Sequence, residues 1–282
     1  MSEVRQFNER LCILRMIPKK LVPIDSSAAW RIIEHTMNKS AKLAELRHSL
    51  ARYGLPPDRA PIPLGHPQAD AVLGGGLRPG SVHEVFAQGW CAGGFAALLA
   101  LLAAGKKTLF WVRPDYEAME YGALSPNGLL ELGGEPAQLI QVRTRNASDA
   151  LSAANDILAC PHAGAVLLEM EGMPKCLDLV ASRRLALAAG ESGVTVFCLR
   201  NSARAEPSAA LTRWQVTSAP SHPNDDDWGN PIFDTRLTRH RAGGLGNFLM
   251  RWNLQHACFE TADIGAVVRT LADRPAAEKI AV

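Results

Sequence analysis

Residues 87–94, Ala-Gln-Gly-Trp-Cys-Ala-Gly-Gly, separate an apolar run that reads as a strand, Ser81–Phe86, from one that reads as a buried helix, Gly93–Ala104. Strand, glycine-rich loop and helix in that order are the setting of a phosphate loop. There, backbone N–H groups and the helix N-terminus cradle phosphates. The chemistry needs two further groups, a lysine on the outer phosphates and a Ser/Thr hydroxyl on magnesium. Neither is present. The helix opens with Gly93-Gly94-Phe95, and Lys106 and Lys107 come only past its far end. Gln88, Gly89, Gly93 and Gly94 are therefore read as a degenerate nucleotide loop. No catalytic residue, metal or cofactor is assigned, and ATP is expected to be held weakly, by backbone amides, or not at all.

Hydrolysis would also need carboxylates on water and metal. After the second strand, Thr108–Val112, stands Arg113-Pro114-Asp115-Tyr116-Glu117, with no clear match to a water-activating glutamate. Asp115 and Glu117 are read as surface carboxylates. A Walker-B-like strand, Ala165–Leu168, ends in Glu169, which could meet a metal, persist as a relic or cap the helix that follows. Arginines gather near other strand ends. Arg143 and Arg145 follow one strand, Arg200 ends another, Arg204 lies in the short loop after it, and Arg236, Arg239 and Arg241 lie on a candidate hairpin. All seven are candidate contacts for DNA or a protein partner. For the hairpin arginines, protection of a sheet edge by charge is an equal competitor. His83 is expected to be a core or capping residue, and Asp225-Asp226-Asp227 a solvated loop without the further oxygen ligands that a calcium site needs.

The elements that position these residues alternate. Short apolar strands at 81–86, 108–112, 139–142, 165–168 and 194–199 are separated by helical patterns at 93–104, within 117–132, at 148–158 with Ser148 as N-cap, and at 176–189. Such strands belong to a parallel sheet covered on both faces. A further strand at 214–217 follows, and then two runs, 233–241 and 247–253, flank Ala242-Gly-Gly-Leu-Gly246 as an antiparallel hairpin in which Leu237, Arg239 and Arg241 alternate with their neighbours. The expected fold is therefore α/β, mostly parallel with an antiparallel edge hairpin. Residues 1–52 carry ten Lys/Arg against five Asp/Glu and include a helical stripe of Leu43, Leu46 and Leu50. The expected division is a basic N-terminal extension with a helix and a Pro-rich linker (1–61), a main domain (62–256) and a tail (257–282). Met37 is an alternative candidate start.

With 282 residues, 47% hydrophobic, and a net charge of +2, the chain has globular composition and is not a strongly basic nucleic-acid binder, although a local patch stays open. The six cysteines show no metal-ligand spacing and read as buried reduced thiols. The first apolar stretch is cut by Arg15 and by Lys19-Lys20, and no apolar run reaches the ~18–20 residues of a membrane span. A cytoplasmic protein without a membrane partner is expected.

The segment from Leu64 to Phe86 resembles the lead-in of the RecA superfamily, with Asp70, Leu73, Gly74, Gly75, Gly76, Leu77, Gly80 and Glu84 at matching places. Within that superfamily the chain resembles ImuA over about residues 38–256. The resemblance rests on a Leu/Arg helix before a Pro-rich break, on Gly74–Val85 with its His83-Glu84 pair, on Leu211–Val216, and on the hairpin ending in Phe248-Leu-Met-Arg-Trp252. It implies a RecA-like core and a non-catalytic accessory role in the SOS response and in error-prone translesion synthesis. The implied partners are ImuB, RecA and, through the complex, an error-prone DNA polymerase, with DNA a further candidate. Two alternatives stand beside it: a DNA-dependent ATPase or recombinase, and an SOS-induced inhibitor of cell division.

Overall fold

The computed structural model describes residues 59–87, 92–221 and 229–262. The N-terminal helix, Gln88, Gly89, Asp225–Asp227 and the helical pattern at 264–273 lie outside the described residues.

The chain enters the domain through a helix that the periodicity does not reveal, α1 (Pro67–Leu73). Its start is set by Pro67 and by the His66 ring, whose Nδ1 accepts from the Ala69 N–H, and its end by Gly74 in the left-handed region. Asp70 reaches back to take the Leu64 and Gly65 N–H groups at 2.8 and 2.9 Å. At Gly76 (φ +133°) a Cβ would run into the Ile62 carbonyl. The Asp70–Gly80 run is thus a scaffold that delivers the chain into the first strand.

That strand, β1 (Val82–Ala87), leads to α2 (Ala92–Ala104), β2 (Thr108–Pro114), α3 (Asp115–Tyr121), α4 (Pro126–Glu131) and β3 (Leu139–Thr144). Then come α5 (Ala147–Leu158), β4 (Ala163–Glu171), α6 (Leu179–Ser192), β5 (Thr195–Asn201), β6 (Thr212–Ala219), β7 (Ile232–His240), β8 (Gly246–Asn253) and β9 (Cys258–Thr261). All nine strands form one sheet in the order β3-β2-β4-β5-β1-β6-β7-β8-β9. Pairing is parallel from β3 to β6 and antiparallel from β6 to β9.

Several boundaries move from their expected places. The region 117–132 makes two short helices, because Gly122 interrupts it and Ser125 caps a second start. Asn146, not Ser148, caps α5 by accepting from Asp149 N–H, and Asp178 caps α6. The sheet runs past residue 256: β9 pairs with β8 and places Phe259, fully buried, against Phe95 and Trp252.

Two apolar layers flank the sheet. One gathers α1, α2 and the inner side chains of every strand region out to Phe259. α2 is apolar almost all round, and its Phe95 meets Trp214, Phe233 and Phe259 with ring centroids 5.3–5.9 Å apart. The other layer packs α5 and α6 on β2, β4, β5 and β1, and it takes no residue from β6 to β9. Among the described residues, the antiparallel half of the sheet is therefore covered on one face only. Its other face is polar by strict alternation in β6, where Trp214 and Val216 are buried and Gln215 and Thr217 exposed.

Candidate functional site

Side chains of β2, β4 and β5 that share the face of α2 converge at the carboxyl ends of the strands, where ligands sit in such sheets. Trp111 and Arg113 come from β2, Glu169 from β4 and Asn201 from β5. With Gly93 and Leu124 they line a cavity of about 300 Å³. Glu169 stands within β4, which continues to Glu171, so it caps no helix.

Glu169 is buried and fully engaged. One oxygen accepts from the Trp111 indole N–H at 2.9 Å and faces the Arg113 Nε at 3.3 Å; the other accepts from the Asn201 amide at 3.4 Å. Arg113, with 2% of its side chain exposed, donates from its two terminal nitrogens to the Gly122 and Glu117 carbonyls, each at 3.0 Å, while its Nε makes the ion pair without a hydrogen bond. The backbone after β2 has thus folded α3 over the guanidinium and closed it in. Glu117 is not on the surface as expected. It is buried, its Oε1 accepts the Glu171 N–H at 3.2 Å, and its Oε2 has no hydrogen-bond partner. Burial lifts its carboxyl above the usual range, with the Glu169 charge acting in the same direction. Asp115 does lie at the surface.

These residues do not fit a magnesium–nucleotide. A hard cation wants several oxygens in its shell, and here the central carboxylate already faces an internal cation. Among the described residues, no group of three or more His, Cys, Asp or Glu is placed to hold a metal. The first turn of α2 offers Gly93 and Gly94, and neither is demanded by crowding. A Cβ would meet nothing closer than 4.0 Å at Gly93 and 3.8 Å at Gly94.

The seven arginines do not form one cluster. Arg143 pairs with Asp115 at 2.7 Å and Arg145 with Asp149 at 3.0 Å, at the β3 edge of the sheet. Arg200 is buried on the opposite face from the Glu169 site, donates to the Gly172 carbonyl at 3.2 Å and lies over the Phe86 ring. It braces the strand ends and offers no free surface charge. Arg204 and Arg236 are exposed and line a common groove of about 640 Å³ on the uncovered face of the antiparallel half. Arg239 faces Arg213 across the β6–β7 pairing, and Arg241 donates to the Ala209 carbonyl.

Leu237 and Arg239 do not share a face, contrary to the alternation expected. Trp214 pairs with Leu237 while Arg213 pairs with Arg239, so Thr238 is an extra residue on β7. This bulge leaves Leu237 in the core and turns Arg239 to the face that carries Arg236. His83 is a core residue: fully buried, stacked on Phe197, and bonded to Thr212 Oγ1 at 2.7 Å and to the Arg78 carbonyl. Glu84, also buried, pairs with Arg213 at 2.7 Å. Residue types and spacing did not single out Trp111, Arg113, Gln215 or Asn247. The only prior signal for Arg113 was that an arginine stood where a catalytic carboxylate was sought.

No protein-family model matches the chain. Protein ImuA from Caulobacter vibrioides (strain NA1000 / CB15N) is 33% identical over 212 residues, which span 68% of this chain and 85% of that protein. Protein ImuA of strain ATCC 19089 / CIP 103742 / CB 15 matches with the same figures.

The chain belongs to the ImuA family.

Its fold is the expected α/β arrangement, a parallel core with helices on both faces and an antiparallel extension. Among solved structures it is similar to the RadB recombinase, with a TM-score of 0.49 and 17% identity, covering 72% of this chain and 100% of that one. In this ImuA protein no helix of the described residues is long and apolar enough to cross a membrane.

Proposed function

We propose that this ImuA protein is a non-catalytic, RecA-like accessory protein of DNA repair, serving an SOS-induced, error-prone translesion synthesis complex in the cytoplasm. It acts by binding ImuB, RecA or both, and reaches the error-prone polymerase through them. One observation carries the non-catalytic reading: the Arg113 guanidinium lies 3.3 Å from Glu169, both buried, in the place where a metal and an attacking water would have to be held. Catalysis of phosphoryl transfer is almost entirely positioning and electrostatics, so a carboxylate neutralised from within supplies little of either. The sequence adds to this, since residues 88–95 hold neither lysine nor Ser/Thr.

Phosphate release from ATP, measured with and without single-stranded DNA, tests the reading. The expected result is no turnover above a protein-free blank. Steady turnover that disappears in Glu169→Ala would replace this reading with that of a DNA-dependent ATPase. The partner assignment is tested separately by co-purification with ImuB and with RecA.

A further inference from the structure

We infer that the uncovered face of the antiparallel half-sheet is a binding groove for the phosphodiester backbone of a single-stranded nucleic acid, centred on Arg236. The register builds the floor of the groove. Phe86, Gln215, Arg236 and Asn247 follow one another across β1, β6, β7 and β8. The next row on the same face pairs Thr217 with Asp234. Arg204 approaches from the loop after β5. The groove is about 640 Å³ and open to solvent. Adjacent strands lie about 4.8 Å apart, so the three central side chains give a row of donors roughly 10 Å long. Such a row suits a strand laid across the sheet, not the width of a duplex.

Charge selects an anion. Among the described residues, Arg204 and Arg236 form no ion pair, against the carboxylate of Asp234 in the groove. Beyond the groove's end the bulge at Thr238 adds Arg239 beside Arg213. Glu84 neutralises Arg213, and the Arg239 guanidinium keeps its charge although burial first, and then the Arg213 and Arg241 charges beside it, lower its pKa.

The lining then selects nucleic acid over protein. Interfaces for protein partners centre on exposed apolar and aromatic anchors and the pockets that receive them. Here the aromatic ring of the floor, Phe86, is only 5% exposed, the accessible apolar groups are the small side chains of Ala203 and Ala205, and the rest of the accessible lining is arginine, amide, hydroxyl or carboxylate. Arg, Thr, Asn and Gln are the side chains that contact phosphate and sugar without reading bases. Binding is therefore sequence-tolerant and strongly salt-dependent. The inference does not depend on which protein partner the chain has.

The test uses the full-length protein and fluorescence anisotropy of a labelled oligothymidylate, between about 50 and 200 mM salt. The wild type is expected to bind, more weakly as salt rises. Arg236→Ala and Arg204→Ala, both at exposed side chains, should each lower the salt slope by about one, and the double variant should bind at least about tenfold more weakly. Gln215→Ala should weaken binding by a smaller factor, and Arg143→Ala and Arg145→Ala should leave it unchanged. Urea midpoints equal to wild type confirm that the variants are folded. An oligouridylate that binds in the same way supports recognition through the backbone. No binding at the lower salt, unchanged affinity in the folded double variant, binding of duplex alone, or displacement by poly-glutamate as readily as by unlabelled oligonucleotide would each overturn the proposal.

Discussion

A buried carboxylate survives in a protein only if something neutralises it or satisfies its lone pairs. Glu169 is satisfied by an indole, an amide and a guanidinium, and the guanidinium is held in turn by two carbonyls at 3.0 Å. Removing the cation alone should therefore be far worse than removing the pair. Arg113→Ala leaves Glu169 charged and buried and is expected to cost about 3–5 kcal/mol of unfolding free energy. Arg113→Met combined with Glu169→Gln, which keeps the volume and removes both charges, should recover most of that loss. Urea unfolding of both variants at neutral pH checks the expectation. A loss below about 1 kcal/mol for Arg113→Ala would mean that water, not the guanidinium, solvates Glu169.

At the scale of elements, β1 is tied into the sheet by a side chain whose charge state matters. His83 joins β1 to β6 through Thr212 Oγ1, and burial depresses its pKa from 6.5 to about 4. The neutral ring is the folded form, while the unfolded chain protonates at the ordinary value. The stabilisation from His83 is thus complete above pH 6.5 and is lost as pH falls from 6.5 towards 4. The total is about 3 kcal/mol. Unfolding free energies of the wild type and His83→Gln, measured across that window, should converge as the pH drops; parallel curves would clear His83 of the effect. The same strand shows what a sequence can disclose. Its apolar run and the glycines before it are legible because Gly76 and Asp70 do local work that only those residue types can do. The hairpin arginines were legible as a group but not by face, because one bulged residue, Thr238, inverts the alternation and sequence gives no sign of it. Glu117 was misjudged for a similar reason. Charged residues after a strand belong at the surface by default, and only the chain path through α3 buries this one. β9 is four residues long and makes sense only beside β8.

For the whole molecule, the question is which parts complete the fold and which are left for partners. Among the described residues the sheet ends at β9, where Phe259 packs on Phe95 and Trp252 and the Ala262 N–H donates to the Leu249 carbonyl at 3.1 Å. Truncation can therefore be placed to separate stability from binding. A chain ending at Ala262 keeps every described strand and should retain the wild-type urea midpoint. A chain ending at Ala257 loses Phe259 from a fully buried position and should be destabilised by about 3–5 kcal/mol. If the C-terminal tail contributes to the ImuB contact, the chain ending at Ala262 should capture less ImuB in co-purification while remaining fully folded. Undiminished capture by that chain would return the ImuB contact to the α/β domain or the N-terminal extension. The groove around Arg236 is kept in the same truncation, so oligothymidylate binding should persist when ImuB capture falls. A protein that loses one function and retains the other shows that two surfaces are in use, one for the partner and one for the strand.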